Sequence, residues 1–205
     1  DYISIDEPTL AMNFSVNTSP FAGKDGNLLT SRQIADRLEK ELKTNVALRV
    51  EDTGSPETFR VLGRGQLHLA ILVETMRREG FELQLSSPEV ILKEIDGKKC
   101  EPVELLTIDV DANFQGVVME MLGTRRALMQ DMVPHGTKIR MEFKIPTRGL
   151  LGLRGPFLTE TRGTGMMSSR FLHYEPKLGD IPCRTRGSLI SMEQGKTTAF
   201  ALDGL

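Results

Sequence analysis

Short segments of alternating apolar and polar residues run along the first part of the chain, and two amphipathic helices interrupt them. Alternation with a period of two is typical of half-buried strands, which are predicted at 10–17, 46–51, 58–62 and 81–85. Thr30 begins the first helix and forms a capping box with Gln33. Gly65 precedes the second helix, which carries apolar residues at 69, 72, 73 and 76. The element order is β-α-β-β-α-β, which is typical of a ferredoxin-like fold.

The same order of elements begins again after a boundary at 86–88. Short apolar segments at 90–94 and 100–104 flank a turn, and further strands are predicted at 103–110, 128–133, 138–145 and 166–173. One helix runs from Phe114 to Gly123, and a helical segment lies within 150–161. We therefore predict an α+β chain with two ferredoxin-like units in tandem, residues 1–87 and 88–176. The two units share an order of elements and not a detectable sequence repeat.

After Pro176 the predicted elements are strands only, without helices. Strands are predicted at 187–191 and 197–202, around a turn at 193–195. Residues 177–205 are therefore expected to begin an all-β C-terminal domain that is cut short. Because the chain starts at Asp1 and stops without a turn or a helix cap, we interpret it as a fragment of a longer protein.

Composition restricts the class of protein. Hydrophobic residues make up 39% and charged residues 26% of the chain, which is ordinary for a globular protein with a buried core. Cys100 and Cys183 lie far apart without CxxC spacing, so we expect free thiols in a reducing compartment. No apolar run reaches transmembrane length, and no membrane partner is expected.

Basic residues are concentrated in one part of a chain whose net charge is −2. Between Lys144 and Arg186 there are eight basic and three acidic residues. Within this segment, the glycine-rich stretch 146–170 carries four arginines, at 148, 154, 162 and 170. Arginines beside glycine turns leave guanidinium and backbone N–H groups free to face an anion, most often phosphate. A basic surface loop that only meets solvent remains the alternative.

No residue pattern for catalysis, a cofactor or a metal stands out. Asp109, Asp111 and Asn113 with Glu120 resemble a calcium loop, but Phe114 stands where that loop requires glycine, so calcium is rejected. Glycines recur at 149, 152 and 155 without forming a phosphate-binding motif. The three histidines are far apart in sequence. The chain is therefore expected to hold no nucleotide, metal or catalytic site.

Four stretches of the chain resemble one family. GRGQLHLAILVETMRREGFEL at 63–83 is similar to domain III of translational GTPases of the elongation factor G type, and 101–129 resembles the first half of their domain V. The stretches 145–176 and 195–205 are closer to one branch, the BipA/TypA GTPases. The boundary at 86–90 leaves no room for domain IV of elongation factor G, and this is a further resemblance to BipA/TypA proteins.

The resemblance implies a parent protein that is a ribosome-associated GTPase linked to stress adaptation and ribosome biogenesis. Its GTP and Mg²⁺ would bind an N-terminal domain that lies outside this sequence. The expected partners are the ribosome, through rRNA and ribosomal proteins, and the parent's own GTPase domain. We expect a cytoplasmic monomer. The alternative to direct RNA binding is a structural relay that packs on the GTPase domain and makes little RNA contact.

A phosphate-facing surface is the hypothesis for the second unit. Its predicted members are basic side chains: Arg148, Arg154, Arg162, Arg170, His135 and Lys138. Lys138 could instead be a plain strand residue, and Arg170 could pair with Glu142 across the sheet. Pro156 either begins a helix as its first residue or interrupts it, which leaves open where Arg148 and Arg154 point.

Overall fold

A computed structural model describes residues 7–20, 22–181 and 194–198. Most of the expected all-β segment 177–205 lies outside the described residues, including the predicted strand at 187–191 and residues 199–202 of the strand predicted at 197–202. Within the described ranges, the chain forms two antiparallel sheets, each with its own helices and hydrophobic core.

The first unit follows the predicted β-α-β-β-α-β order. Its elements are β1 (Leu10–Val16), α1 (Ser31–Leu42), β2 (Arg49–Asp52), β3 (Thr58–Gly63), α2 (Gln66–Arg78), β4 (Leu83–Leu85) and the short β5 (Glu89–Val90). The sheet order is β2-β3-β1-β4, and β5 pairs with β1 through Leu10 opposite Val90. The predicted boundary at 86–88 assigns β5 to the second unit, whereas its backbone pairing places it in the first sheet.

Local sequence explains both helices of this unit. The Thr30 side chain accepts a hydrogen bond from the Gln33 N–H, and the Gln33 side-chain oxygen accepts one from the Thr30 N–H, which is the predicted capping box. Ile34 and Leu38 of α1 pack on the sheet with Leu69, Leu72 and Met76 of α2. The predicted strand at 46–51 begins only at Arg49, because a turn bonds the Leu48 N–H to the Asn45 carbonyl.

The second unit repeats the topology. Its elements are β6 (Lys93–Ile95), β7 (Lys98–Asp111), a 3₁₀ turn (Ala112–Phe114), α3 (Gln115–Gly123), β8 (Leu128–His135), β9 (Lys138–Pro146), α4 (Thr147–Leu150), α5 (Arg154–Glu160) and β10 (Met166–Pro176). The sheet order β10-β7-β9-β8 matches that of the first unit, since β7 lies between β9 and β10 as β1 lies between β3 and β4, and the short β6 pairs with β7. Two tandem ferredoxin-like units are thereby confirmed.

Two predicted segments of this unit differ in detail. The segments 100–104 and 103–110 form one continuous strand, β7, because β10 pairs along it from Cys100 to Asp109. The helical segment at 150–161 is two short helices, and α5 begins at Arg154, two residues before Pro156. A proline in the first turn is tolerated, because N–H groups there have no partner within the helix.

One face of the second sheet carries the core and the other is open to solvent. Leu106, Ile108 and Val110 of β7 point into a core with Val118, Leu122 and Phe157 of the helices. The alternate residues of β7, including Leu105, Thr107 and Asp109, are half-buried on the opposite face. β10 forms one edge of this sheet, and that edge faces the first unit across a cleft.

Side chains of the two units contact each other at several described positions. The Lys93 ammonium group binds the Glu7 carboxylate and lies 4.6 Å from the centroid of the Tyr174 ring. Leu151, between α4 and α5, packs against the hydrophobic core of the first unit. These contacts position the edge strand β10 opposite the start of α2.

Candidate functional site

Arg148, the first of the predicted phosphate ligands, is held inside the protein. Its Nε and Nη2 donate to the two carboxylate oxygens of Glu101, at 2.5 Å and 3.1 Å. Nη2 also donates to the carbonyls of Leu178 and Gly179, each at 2.7 Å. Glu101 is only 3% exposed. Arg148 therefore fastens the segment after β10 to β7 and α4, and it does not share a surface with the other predicted residues.

Arg154 and Arg170 line a cleft of about 920 Å³ between the two units. We call it the inter-unit cleft, and its walls are residues 64–68 at the start of α2, residues 167–171 of β10, and Leu150 and Leu151. Arg170 lies opposite Leu105 on β7, and it is not paired with Glu142, which lies opposite Thr107. Both arginines are exposed.

Arg64 is a third arginine of the inter-unit cleft, and the sequence did not single it out. It stands in the GRG turn before α2, where no local pattern distinguishes a phosphate ligand from an ordinary turn residue. Among the residues that the structure describes, no carboxylate lies within ion-pair distance of Arg64, Arg154 or Arg170. Three arginines from two units thus line one cavity.

The acidic side chains of the cleft already have partners. Lys93 binds the Glu7 carboxylate, and this hydrogen bond and charge hold the pKa of Glu7 below its usual value. The buried Glu104 accepts a hydrogen bond from the Thr147 hydroxyl at 2.9 Å. The lining thus holds three arginines and two acids, and one of these acids is paired with Lys93, so the charge balance of the cleft favours anions.

The start of α2 adds hydrogen-bond donors to the same wall. Gly65 is the N-cap and has no side chain to bind the first N–H groups of the helix, which is also where the helix dipole is positive. His68 accepts a hydrogen bond from the Arg64 N–H at Nδ1, over 3.3 Å. Burial, and then the Arg64 charge, hold the pKa of His68 below its ordinary value. These surroundings therefore favour the neutral form of the ring.

His135, Lys138 and Arg162 lie at the far end of the second sheet, which we call the distal end. His135 and Lys138 close the β8–β9 turn and line a shallow cavity of about 370 Å³ with Asp109 and Arg140. Arg140 binds Asp109 through two hydrogen bonds of 2.9 Å, which lowers the pKa of Asp109. Arg162 stands just before β10, whose first residue pairs with Asp109.

The six predicted residues therefore occupy three places. Two line the inter-unit cleft, three lie at the distal end, and Arg148 is internal. In the described part of the chain, no group of three or more His, Cys, Asp or Glu side chains is arranged to hold a metal ion. No described helix is both long and apolar enough to cross a membrane.

Comparisons with known proteins agree with this architecture. Residues 98–185 match the family described as elongation factor G C-terminus. A crystal structure of a protein from Thermus thermophilus has a TM-score of 0.53 and 14% identity, covering 86% of this chain and 42% of that one. At this identity the likeness shows the fold alone.

Three curated relatives are much closer in sequence. Proteins named large ribosomal subunit assembly factor BipA are 56% identical in Haemophilus influenzae and 55% in Escherichia coli K12, over 99% of this chain, and 54% in Synechocystis, over 98%. The chain spans only 33–34% of the length of these relatives. Over nearly its whole length, the chain is thus similar to about a third of the length of BipA proteins, and its second unit matches the elongation factor G C-terminus.

Proposed function

We propose that this chain is a non-catalytic, rRNA-contacting region of a large ribosomal subunit assembly factor. The observation that carries the proposal is the convergence of Arg64, Arg154 and Arg170 on one cleft, without acidic partners among the described residues. Arginine suits such a role because its planar guanidinium group binds two phosphate oxygens at once. The name of the relatives supports the ribosome as the partner.

The distal end supplies a second set of phosphate contacts in this proposal. His135, Lys138 and Arg162 are exposed there. Arg148 is left out of the binding set, because its donors are used by Glu101 and two carbonyls. Contacts of this kind position an RNA without reading its sequence, so each should contribute about equally to different RNAs.

The wider role extends the same proposal. We infer a parent protein with a GTPase domain that binds GTP and Mg²⁺ outside this chain and acts on ribosomes in the cytoplasm, as a monomer, in ribosome biogenesis and stress adaptation. Ribosomal proteins would then be partners beside rRNA. The support is the 54–56% identity to BipA assembly factors, of whose length this chain spans only 33–34%.

A structural relay is the second candidate, and α2 favours it. Leu67 and Ile71 lie one turn apart on this helix and are 65% and 57% exposed. An exposed apolar pair suits packing against another domain, such as the GTPase domain of the parent protein. In this case the chain would transmit conformational changes and make little contact with RNA.

Filter binding of purified large-subunit rRNA to the 205-residue chain at several salt concentrations tests the proposal. Arg64→Gln and Arg170→Gln should each weaken binding and reduce the slope of log K against log salt by about 0.7–0.9, the value for one lost phosphate contact. Arg32→Gln, at an exposed position of α1 outside the cleft, is the matched control and should change neither. Unchanged affinity and slope in both cleft variants would favour the relay.

A further inference from the structure

We propose that the inter-unit cleft takes a single unstacked nucleotide of the bound RNA, with its phosphate on the arginines and its base against Phe171. This inference rests on the proposed RNA contact and specifies the kind of RNA that is bound. Phosphate binding alone would need only an exposed basic surface. The cleft differs from such a surface because it is a cavity of about 920 Å³ whose walls combine charged, polar and apolar side chains.

The size of the cleft fits this occupant. Its volume of about 920 Å³ lies within the range of roughly 300–1,000 Å³ that is usual for small-molecule pockets. A nucleotide stacked inside a duplex cannot enter a cavity of this shape, whereas a nucleotide in a bulge or single strand can be turned out of its stack. The cleft therefore selects unpaired RNA over regular duplex.

One wall of the cleft offers a surface for a base. Phe171 is half-buried on β10 and lines the cavity, with the apolar side chains of Leu67 and Leu150 nearby in the lining. The Phe171 ring packs edge-on with Tyr174, at a centroid distance of 5.6 Å, so its position is held by a neighbour. An aromatic ring can stack on any of the four bases, which gives affinity without sequence preference.

The polar groups of the cleft are placed for the rest of the nucleotide. Arg170 precedes Phe171 on β10, Arg64 lines the same cavity from the turn before α2, and Arg154 lines it from α5. The uncapped start of α2 adds N–H donors that also favour phosphate. Ser168 and Ser169 line the cavity as well and can hydrogen-bond to sugar or base edges.

The distance between the inter-unit cleft and the distal end favours a nucleotide of an RNA chain over a free nucleotide as the occupant of the cleft. Arg170 lies four residues along β10 from Met166 at the distal end, about 13 Å at the rise of a strand. Phosphates that flank an extruded nucleotide can therefore reach the basic residues of the distal end. A free nucleotide has no such second contact, and the chain has no glycine-rich loop with a lysine to cradle its phosphates.

Fluorescence anisotropy with two labelled RNA duplexes tests the inference on the 205-residue chain. The duplexes are identical, except that one carries a single unpaired adenosine in the middle of one strand. We expect the bulged duplex to bind about fivefold more tightly or better, the effect of one stacked base. Phe171→Leu should remove this preference and leave binding of the paired duplex unchanged. Phe114→Leu, a half-buried aromatic position outside the cleft, should keep it.

A second variant keeps the test decisive if Phe171→Leu does not fold, as judged by circular dichroism. Arg154 is exposed, and Arg154→Gln should weaken binding of the bulged duplex more than binding of the paired duplex. Arg32→Gln should change the affinity for neither duplex. Equal binding of the two duplexes by the unsubstituted chain would overturn the inference and leave the proposed RNA contact standing. Binding of neither duplex would overturn both. Displacement of the bulged duplex by free adenosine monophosphate or GDP at similar affinity would show that the cleft is not an RNA site.

Discussion

Replacing Arg148 by alanine should destabilise the second unit strongly, because the substitution leaves a buried carboxylate without its cation. The side chain of Glu101 is 4% exposed and that of Arg148 is 14% exposed. After truncation, Glu101 keeps a hydrogen bond from the Leu178 N–H at 3.4 Å. Breaking a buried ion pair on one side typically costs about 3–5 kcal/mol, and we expect about 3 kcal/mol here because the bonded segment 178–179 is near solvent.

Arg140→Ala is the matched control for this substitution. Arg140 also binds its carboxylate partner, Asp109, through Nε and Nη2, at 2.9 Å each. The side chains of this pair are 51% and 21% exposed, so solvent replaces the lost contact. The expected loss is about 0.2–1 kcal/mol, typical of surface ion pairs. The two pairs share their two-bond geometry and differ in burial and in the two carbonyls that Arg148 also binds, so both contribute to the expected difference.

Urea unfolding followed by circular dichroism measures both variants, with the unfolding of the two units fitted as separate transitions where they are resolved. For a unit of this size, a loss of about 3 kcal/mol corresponds to a fall in melting temperature of about 12 °C or more. Adding Glu101→Ala to Arg148→Ala should recover part of the loss, because no buried charge is then left unpaired. Equal decreases in the free energy of unfolding for Arg148→Ala and Arg140→Ala would refute the argument from burial.

Two further predictions concern nucleotide chemistry and pH. The purified chain should neither bind nor hydrolyse GTP, because its sequence holds no phosphate-cradling loop with its lysine. Equilibrium dialysis and a phosphate-release assay check this, and release above a buffer blank that a point substitution removes would contradict it. The stability of the first unit should fall as the pH drops below about 6.5, since burial and Arg64 hold the pKa of His68 below that ordinary value. The folded form favours the neutral ring, so this contribution is complete above the unfolded pKa and is lost as the pH falls through the folded one. Urea titrations at about pH 7 and pH 5.5 should differ less for His68→Gln, and an identical difference would contradict the assignment.

Local patterns in the sequence were enough to predict most of the fold. The capping box of Thr30 and Gln33 and the apolar stripe from Leu69 to Met76 each lie within a few turns of one helix. Such patterns depend on near neighbours and on the 3.6-residue period, so they can be recognised without the folded structure. The sequence did not predict that Glu89 and Val90 join the first sheet, because β-pairing joins residues that are distant along the chain.

The surface role of each arginine was decided only by the tertiary structure. Arg148 and Arg154 are six residues apart in the same glycine-rich stretch, and nothing in that stretch distinguishes them. The fold brings Glu101, 47 residues away in sequence, against Arg148, and leaves Arg154 without an acidic partner among the described residues. It also brings Arg64 of the other unit to the cleft that Arg170 lines. A basic side chain is free to bind phosphate only if the fold places no acid or carbonyl within hydrogen-bond distance of it. The packing of whole units decides this, because those groups are distant along the chain.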